Sequence, residues 1–243
     1  MDKKITGLKL FLLLFWQVSF AQQTILTDSN LPIMVISTDI DPATNSPIDI
    51  PDEPKVLATM QLIFRPDGAR NYLTDITNDS FLNYNGRMGI ELRGSSSQEL
   101  DKKPYGFTTL LEDNDSNNNV SLLGMPSEND WVLNSLAYDP SMIRDYLSYT
   151  LASNMGNYAP RVKYIEVIVN DDYKGVYILT EKIKRDSDRV NLKKIDDEDT
   201  DFPEVTGGYI VKADKTTGGD VVAWTMPNYG GWDTDFLHHY PKT

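Results

Sequence analysis

The chain has 243 residues, 40% of them apolar, with no cysteine, two histidines and a formal charge of −13. That length and apolar share suffice for one large folded domain or two small ones, and the acidic balance argues against a nucleic-acid partner, because phosphate backbones need a basic field. Without cysteine there is no disulfide, thiol nucleophile or Cys-ligated zinc, and with imidazole confined to His238 and His239 a Ser-His-Asp hydrolase or a His-ligated metal has little to draw on.

Lys3, Lys4 and Lys9 precede an apolar run over residues 10–16, and Ser19-Phe-Ala21 stands before Gln22, which is the layout of a secretory signal peptide over residues 1–21. The run is shorter than the ~20 apolar residues of a spanning helix, so the expectation is an exported protein with no membrane span after signal removal. Cleavage would take away three lysines and Asp2 and move the formal charge from −13 to −15. An exported chain without disulfides must draw its stability from its core.

Residues 31–37 read as a strand, and residues 38–54, rich in Pro, Asp and Asn, as a loop. Residues 56–64 form a second strand with Val56, Ala58, Met60, Leu62 and Phe64 on one face, ended by the turn Pro66-Asp-Gly68. Further on, Met88, Ile90 and Leu92 share one face while Glu91 and Arg93 share the other. A polar loop over 94–101 then leads through Lys102 and Lys103 to a returning strand carrying Tyr105, Phe107 and Thr109 on one side. This is a hairpin with a long polar tip. Arg93 at its mouth and the two lysines at its exit permit a local anion site; the alternative is a solvated hairpin with an Arg93–Glu91 surface pair. Asp113, Asp115 and Asn117 stand where a calcium loop has its first ligands, but Asn118 and Gly124 replace the glycine and the bidentate glutamate, so the stretch reads as a polar turn. Asp197, Asp199 and Asp201 read as a solvated acidic loop.

Residues 131–190 carry the clearest signals. Asp139-Pro140 offers a cap and a first helical residue, Ile143, Tyr146, Leu147, Thr150, Leu151 and Met155 recur at three- and four-residue spacing, and Gly156 closes the run. An amphipathic helix of about four turns follows from that spacing. Residues 162–170 and 176–183 read as paired strands around a five-residue turn, with Gly175 free to take a left-handed position. The period of two then puts Glu181 on the apolar face of Tyr177, Leu179 and Ile183, where an acid needs a cation. Lys182, Lys184, Arg185 and Arg189 make a basic patch interrupted by Asp186 and Asp188, and residues 207–214 and 221–224 read as further strands.

Arg93-Gly-Ser-Ser-Ser, Lys102-Lys-Pro-Tyr, Leu122-Leu-Gly-Met-Pro, Asn129-Asp-Trp, Asp139-Pro-Ser-Met-Ile-Arg144, Gly175-Val-Tyr-Ile-Leu-Thr-Glu181 and Gly207-Gly-Tyr-Ile follow one another in order. As a series, over about residues 85–214, they resemble the N-terminal part of the CotH family, named for a spore-coat protein. The resemblance implies an α+β fold: a protein-kinase-like, β-rich N-terminal lobe of antiparallel hairpins with one main helix. In a secreted, atypical kinase of this kind that lobe covers ATP and a magnesium ion, a C-terminal lobe supplies base and metal ligands, and proteins are phosphorylated on serine. Arg93, Lys102, Lys103 and Glu181 fall on matching motif positions and are the implied cofactor-binding residues, with Glu181 paired to the Lys102-Lys103 strand; Arg144 also matches and is given a structural role.

The family's catalytic Asn-x-Asp-Gly-like segment has no counterpart after Asp214. Trp232-Asp-Thr-Asp235 spells its metal segment but comes too early for a helical lobe to intervene, so no catalytic or metal-binding residue is assigned. The expected organisation is a signal peptide over 1–21, a β-strand extension over 22–84 and the front part of a CotH-like domain over 85–243, truncated and inactive alone. The alternative is a non-catalytic, secreted β-rich surface module for binding or adhesion, in which Arg93, the lysines and Glu181 form a buried ion network.

Overall fold

The computed structural model describes residues 25–196, 198–216 and 220–241; the expected signal peptide and Asp197 of the acidic run lie outside them. Strands β1 (Ile33–Thr38), β2 (Val56–Ile63), β3 (Leu82–Leu92), β4 (Tyr105–Leu110), β5 (Asp130–Asn134), β6 (Val162–Val169) and β7 (Asp172–Glu181) close into a barrel. Around the wall they run β1-β2-β3-β4-β5-β7-β6. The pairing that shuts the barrel is parallel, β6 against β1, with Glu166 opposite Ile33 and Val169 opposite Ile36. Helix α1 (Arg144–Asn154) lies in the connection from β5 to β6, and a separate sheet of β8 (Ile210–Ala213), β9 (Val222–Met226) and β10 (Thr234–Tyr240) has β10 in its centre.

Alternation along the strands explains the interior. Met60 and Leu62 of β2, Met88 and Ile90 of β3, Phe107 of β4, Trp131 and Leu133 of β5, and Tyr177 and Leu179 of β7 all point inward and lose nearly all contact with water. Each such side chain contributes roughly 1.5–3 kcal/mol by leaving water. The molecule is β-rich with a helix, as the α+β reading has it, but the hairpins are joined into a closed wall that alternation alone does not announce. Closure rests on β1 and β6, which are apolar on both sides. Ile33 and Ile168 form a second, outer cluster with Ile63, covered by Leu26, Leu73 and Ile76. Sealing the wall there leaves the barrel no free strand edge.

Two local expectations are corrected. The β6–β7 connection is a two-residue turn, Asn170-Asp171, with φ of 49° and 64°, rather than a five-residue one. Asn and Asp accept that left-handed backbone, and the pair supplies the twist a tight hairpin needs. Gly175 does have positive φ, 87°, but it sits within β7 where the register slips between Val167–Gly175 and Ile168–Tyr173. It serves a bulge and not the turn.

The helix is shorter than its spacing suggests and faces the other way. It begins at Arg144, because the Asp139 carboxylate accepts from the backbone N–H groups of Ser141, Ile143 and Arg144 and holds residues 139–142 as a turn, with Met142 at φ 56°. Ile143, Leu147, Leu151 and Met155 lie exposed, Met155 at 71%. The helix meets the barrel instead through polar and aromatic contacts. Tyr146 stacks on Tyr164 at 5.3 Å, Asn134 donates to Asp145 at 2.6 Å, and the Tyr164 hydroxyl donates to the Met142 carbonyl at 2.5 Å.

Candidate functional site

Two cavities of about 290 Å³ each share Arg93 and Asn134 on the outer side of the barrel wall. The first is bordered by the β3–β4 tip and the segment from Ser135 to Asp139. The second lies between the end of β7, Tyr149 and Pro160 below, and Lys212, Asp214 and His239 of the three-stranded sheet above. Arg93 is exposed, and among the described residues it has no hydrogen-bond or ion-pair partner for its guanidinium. The surface pair with Glu91 does not form: Glu91 lies 3.8 Å from Lys55, and burial first of all raises its carboxyl above the usual range.

The tip beyond Arg93 is built to hold one shape. Gly94 has φ 94°, and a Cβ there would come within 2.1 Å of the Ser97 hydroxyl oxygen, so only glycine fits without displacing that side chain. Gln98 donates to the Gly94 carbonyl at 2.7 Å and to Asp52 at 2.6 Å, while the Tyr138 hydroxyl donates to the Ser96 carbonyl at 3.1 Å. The result is a fixed loop of small residues next to the exposed Arg93 guanidinium.

Glu181 points into the barrel end, 1% exposed, and it does grip a cation. The partner is Arg161, which neither Lys102 nor Lys103 replaces. Arg161 donates from Nη1 to Oε1 at 2.8 Å and from its backbone N–H to Oε2 at 2.8 Å, and the same Nη1 reaches the Asp188 carbonyl at 2.9 Å. The lysines are occupied elsewhere. Lys102 donates to the Val176 carbonyl at 2.5 Å, 4.7 Å from the Tyr177 ring centre, and burial lowers its ammonium pKa. Lys103 donates to the Gln98 carbonyl at 2.6 Å and borders a different cavity, beside Asp49 and Asp172. The reason is distance along a strand. Val176 and Glu181 are five residues apart on β7, about 17 Å at ~3.4 Å per residue, more than a lysine side chain spans.

The basic patch of residues 182–189 is not a patch. Lys184 pairs with Glu128 at 2.6 Å and Asp130 at 3.0 Å. Arg189, 4% exposed, lies 5.2 Å from the Trp131 ring centre and 3.6 Å from Glu128, and donates to the Lys182 carbonyl at 2.7 Å. Lys182 borders the second cavity; burial is the largest influence on it and lowers its ammonium pKa, against the pull of Asp130. Burial pushes Asp130 up, but Lys182, Lys184 and the Thr108 hydroxyl outweigh it and hold the carboxyl below its usual range.

Above the cavity, Lys212 bridges Asp214 at 3.0 Å and Asp220 at 3.2 Å, and Leu237 of β10 is fully buried. Asp233 and Asp235 of the metal-like motif are used inside their own hairpin, accepting from the Asn228 backbone N–H and the Thr225 hydroxyl. Arg144 pairs with Asp139 at 3.0 Å at the helix start. Sequence reasoning passed over Arg161, Asp130 and Lys212. Arg161 follows Pro160 outside any periodic segment, and only the need of Glu181 for a cation pointed to a residue of its kind.

A sequence model of the family described as CotH kinase protein matches residues 90–233, from within β3 to the β9–β10 hairpin. Among curated proteins no match is found.

Proposed function

The chain belongs to the CotH kinase family, and on that premise we propose that it forms the nucleotide-covering portion of an exported, CotH-like atypical protein kinase. In the complete enzyme, ATP with magnesium would serve the phosphorylation of a protein substrate on serine. The observation that carries this reading is Arg93, whose guanidinium makes no hydrogen bond or ion pair among the described residues, where two cavities and a fixed glycine-serine loop meet.

A triphosphate fits what the cleft offers. Anions need cations and backbone donors held in place before they arrive, and Arg93 beside the loop from Gly94 to Ser97 supplies both kinds of group. Lys182 adds a second positive charge on the same wall. Lys103 holds the loop through Gln98, Lys102 ties the hairpin exit to β7, and Glu181 fixes the barrel end through Arg161; these three position and do not touch the nucleotide. ATP supplies the phosphoryl group. Among the described residues no cluster of three or more His, Asp or Glu side chains is arranged to hold a metal, so no residue here is assigned to one.

The test is equilibrium binding of a fluorescent ATP analogue to the whole chain. A charge-assisted hydrogen bond contributes about 1.5–3 kcal/mol, so Arg93→Ala should weaken binding roughly tenfold or more, with Lys182→Ala losing less. Wild-type affinity in Arg93→Ala retires the reading. The rival, a non-catalytic secreted β-rich binding module, draws on Trp224, half-exposed and stacked on Phe236 at 4.9 Å in the small sheet. It predicts no nucleotide binding by the wild-type chain.

A further inference from the structure

The three-stranded sheet has two edges, and the chain treats them differently. At the β8 edge Lys212 stands within the strand, and the entry to the strand is covered: a Cβ on Gly208 would come within 2.2 Å of the Lys193 carbonyl oxygen, and the Ile195 backbone N–H donates to the Tyr240 hydroxyl at 3.2 Å. A lysine and a covering segment are common means of keeping an edge from taking another strand. β9 has neither. Among the described residues Val222–Met226 pairs with β10 alone, and after the register slip between Val222 and Trp224 the pairing of Trp224, Thr225 and Met226 is regular. No other segment takes a backbone hydrogen bond from these residues or gives them one. On the outer side of β9 the strand therefore presents a row of N–H and C=O groups without a protein partner.

The side chains say what kind of strand would fit. Trp224 and Met226 share one face, both half-exposed, and the Trp224 ring lies nearly parallel to that of Phe236, with 7° between the planes, so the indole is held in place before any ligand arrives. The face of an indole is the best aromatic seat for a cation. Thr225 and its partner Asp235 stand on the opposite face. From residue 216 to residue 241 the sequence has three aspartates and no lysine or arginine. Asp220 is matched by Lys212, whereas the Asp233 and Asp235 carboxylates accept from the Asn228 backbone N–H and the Thr225 hydroxyl and form no ion pair among the described residues. An incoming basic strand thus meets an aromatic face on one side and a carboxylate on the other.

We propose that β9 is a docking edge for an extended, basic segment of another protein, which adds to the small sheet as a fourth strand and lays an arginine or lysine over Trp224. The main-chain groups of the edge select an extended backbone, and the indole and the aspartates select its charge. A second copy of this chain suits the edge less well: the chain carries −13, and joining two β9 edges would bring like charges together. The inference goes beyond the nucleotide reading and holds without it.

Fluorescence anisotropy of labelled peptides with the nucleotide-free whole chain tests the edge. The probe is a short peptide alternating arginine and threonine, with blocked ends; a second peptide replaces each threonine by proline, which keeps the charge and removes half of the backbone donors. The wild-type chain should bind the first saturably and the second about tenfold more weakly or worse, since at least two main-chain hydrogen bonds are lost. Trp224→Thr, which keeps a strand-forming residue, should weaken the first peptide about fivefold, and Met226→Lys, which puts a lysine on the edge, should weaken it as well. Both sites are half-exposed, and an unchanged urea midpoint shows that the variants fold. Absence of saturable binding by the wild type, equal binding of the proline peptide, or wild-type affinity in both variants overturns the proposal. So does self-association of the chain that Met226→Lys abolishes, because the occupant of the edge is then a second copy.

Discussion

Glu181 and Arg93 border the same cavity, and the molecule treats the two charges in opposite ways. Glu181 is enclosed, and both of its oxygens accept from one residue, Arg161, whose guanidinium also reaches the Asp188 carbonyl. Arg93 stands at the open side, and among the described residues its guanidinium makes no hydrogen bond or ion pair, although its charge reaches Asp214 and Tyr149. The first arrangement is how a chain stabilises a charge it cannot expose, by giving it a complete set of partners. The second has no stabilising use, since a solvated, unpaired arginine contributes little to folding. The difference separates residues that hold the barrel together from those available to a ligand, and it divides the expected effects of mutation along the same line.

The largest loss belongs to the enclosed set. Arg189 fills space beside Trp131, faces Glu128 and caps the Lys182 carbonyl, so Arg189→Ala removes packing, an ion pair and a hydrogen bond together. Breaking a buried pair in this way costs about 3 kcal/mol or more, to be read as a drop in the urea midpoint. Glu181→Leu should cost less, about 2 kcal/mol, because Arg161 is half-exposed and returns to water while only its backbone N–H is left unpaired inside. Arg93→Ala should change stability by no more than about 0.5 kcal/mol while still weakening nucleotide binding. A destabilisation by Arg93→Ala as large as that of Glu181→Leu would erase the distinction between the two charges.

The same line separates what could be read in the sequence from what could not. The inward faces of β2, β3, β4 and β7 follow from strict alternation, and so does the placing of Glu181 among Tyr177 and Leu179, because a strand's faces are fixed by its period whatever it packs against. That an acid there would hold a cation was also legible. Its identity was not, since Arg161 comes from the segment after α1 and meets Glu181 only once β6 and β7 have paired. Closure of the barrel was hidden for a similar reason: β1 and β6 pair across more than a hundred residues, and nothing local marks a parallel partner. The helix misled more directly. Its apolar spacing is real, yet Asp139 captures the first backbone N–H groups and delays the helix to Arg144, and the barrel is met by Tyr146 and Asp145 while Leu147 and Leu151 face outward.

The smallest effect is expected at that helix start, and it is specific in pH. The Asp139 carboxyl is pulled down to about 2, first by the Ser141 hydroxyl and then by the Arg144 backbone N–H, with Arg144's charge adding to it. Its folded value is therefore below that of the unfolded chain. The stabilisation it gives is complete above the unfolded carboxyl range, near pH 4, and disappears as pH falls through about 2. Helical signal in far-ultraviolet circular dichroism should accordingly decline between about pH 4 and 2 in the wild type. In Asp139→Asn, whose amide oxygen still accepts from the backbone but carries no charge to lose, the signal should start slightly lower and stay level across that window. An Asn variant that follows the wild-type acid curve would mean that the turn before Arg144 is held by its shape and not by this carboxylate.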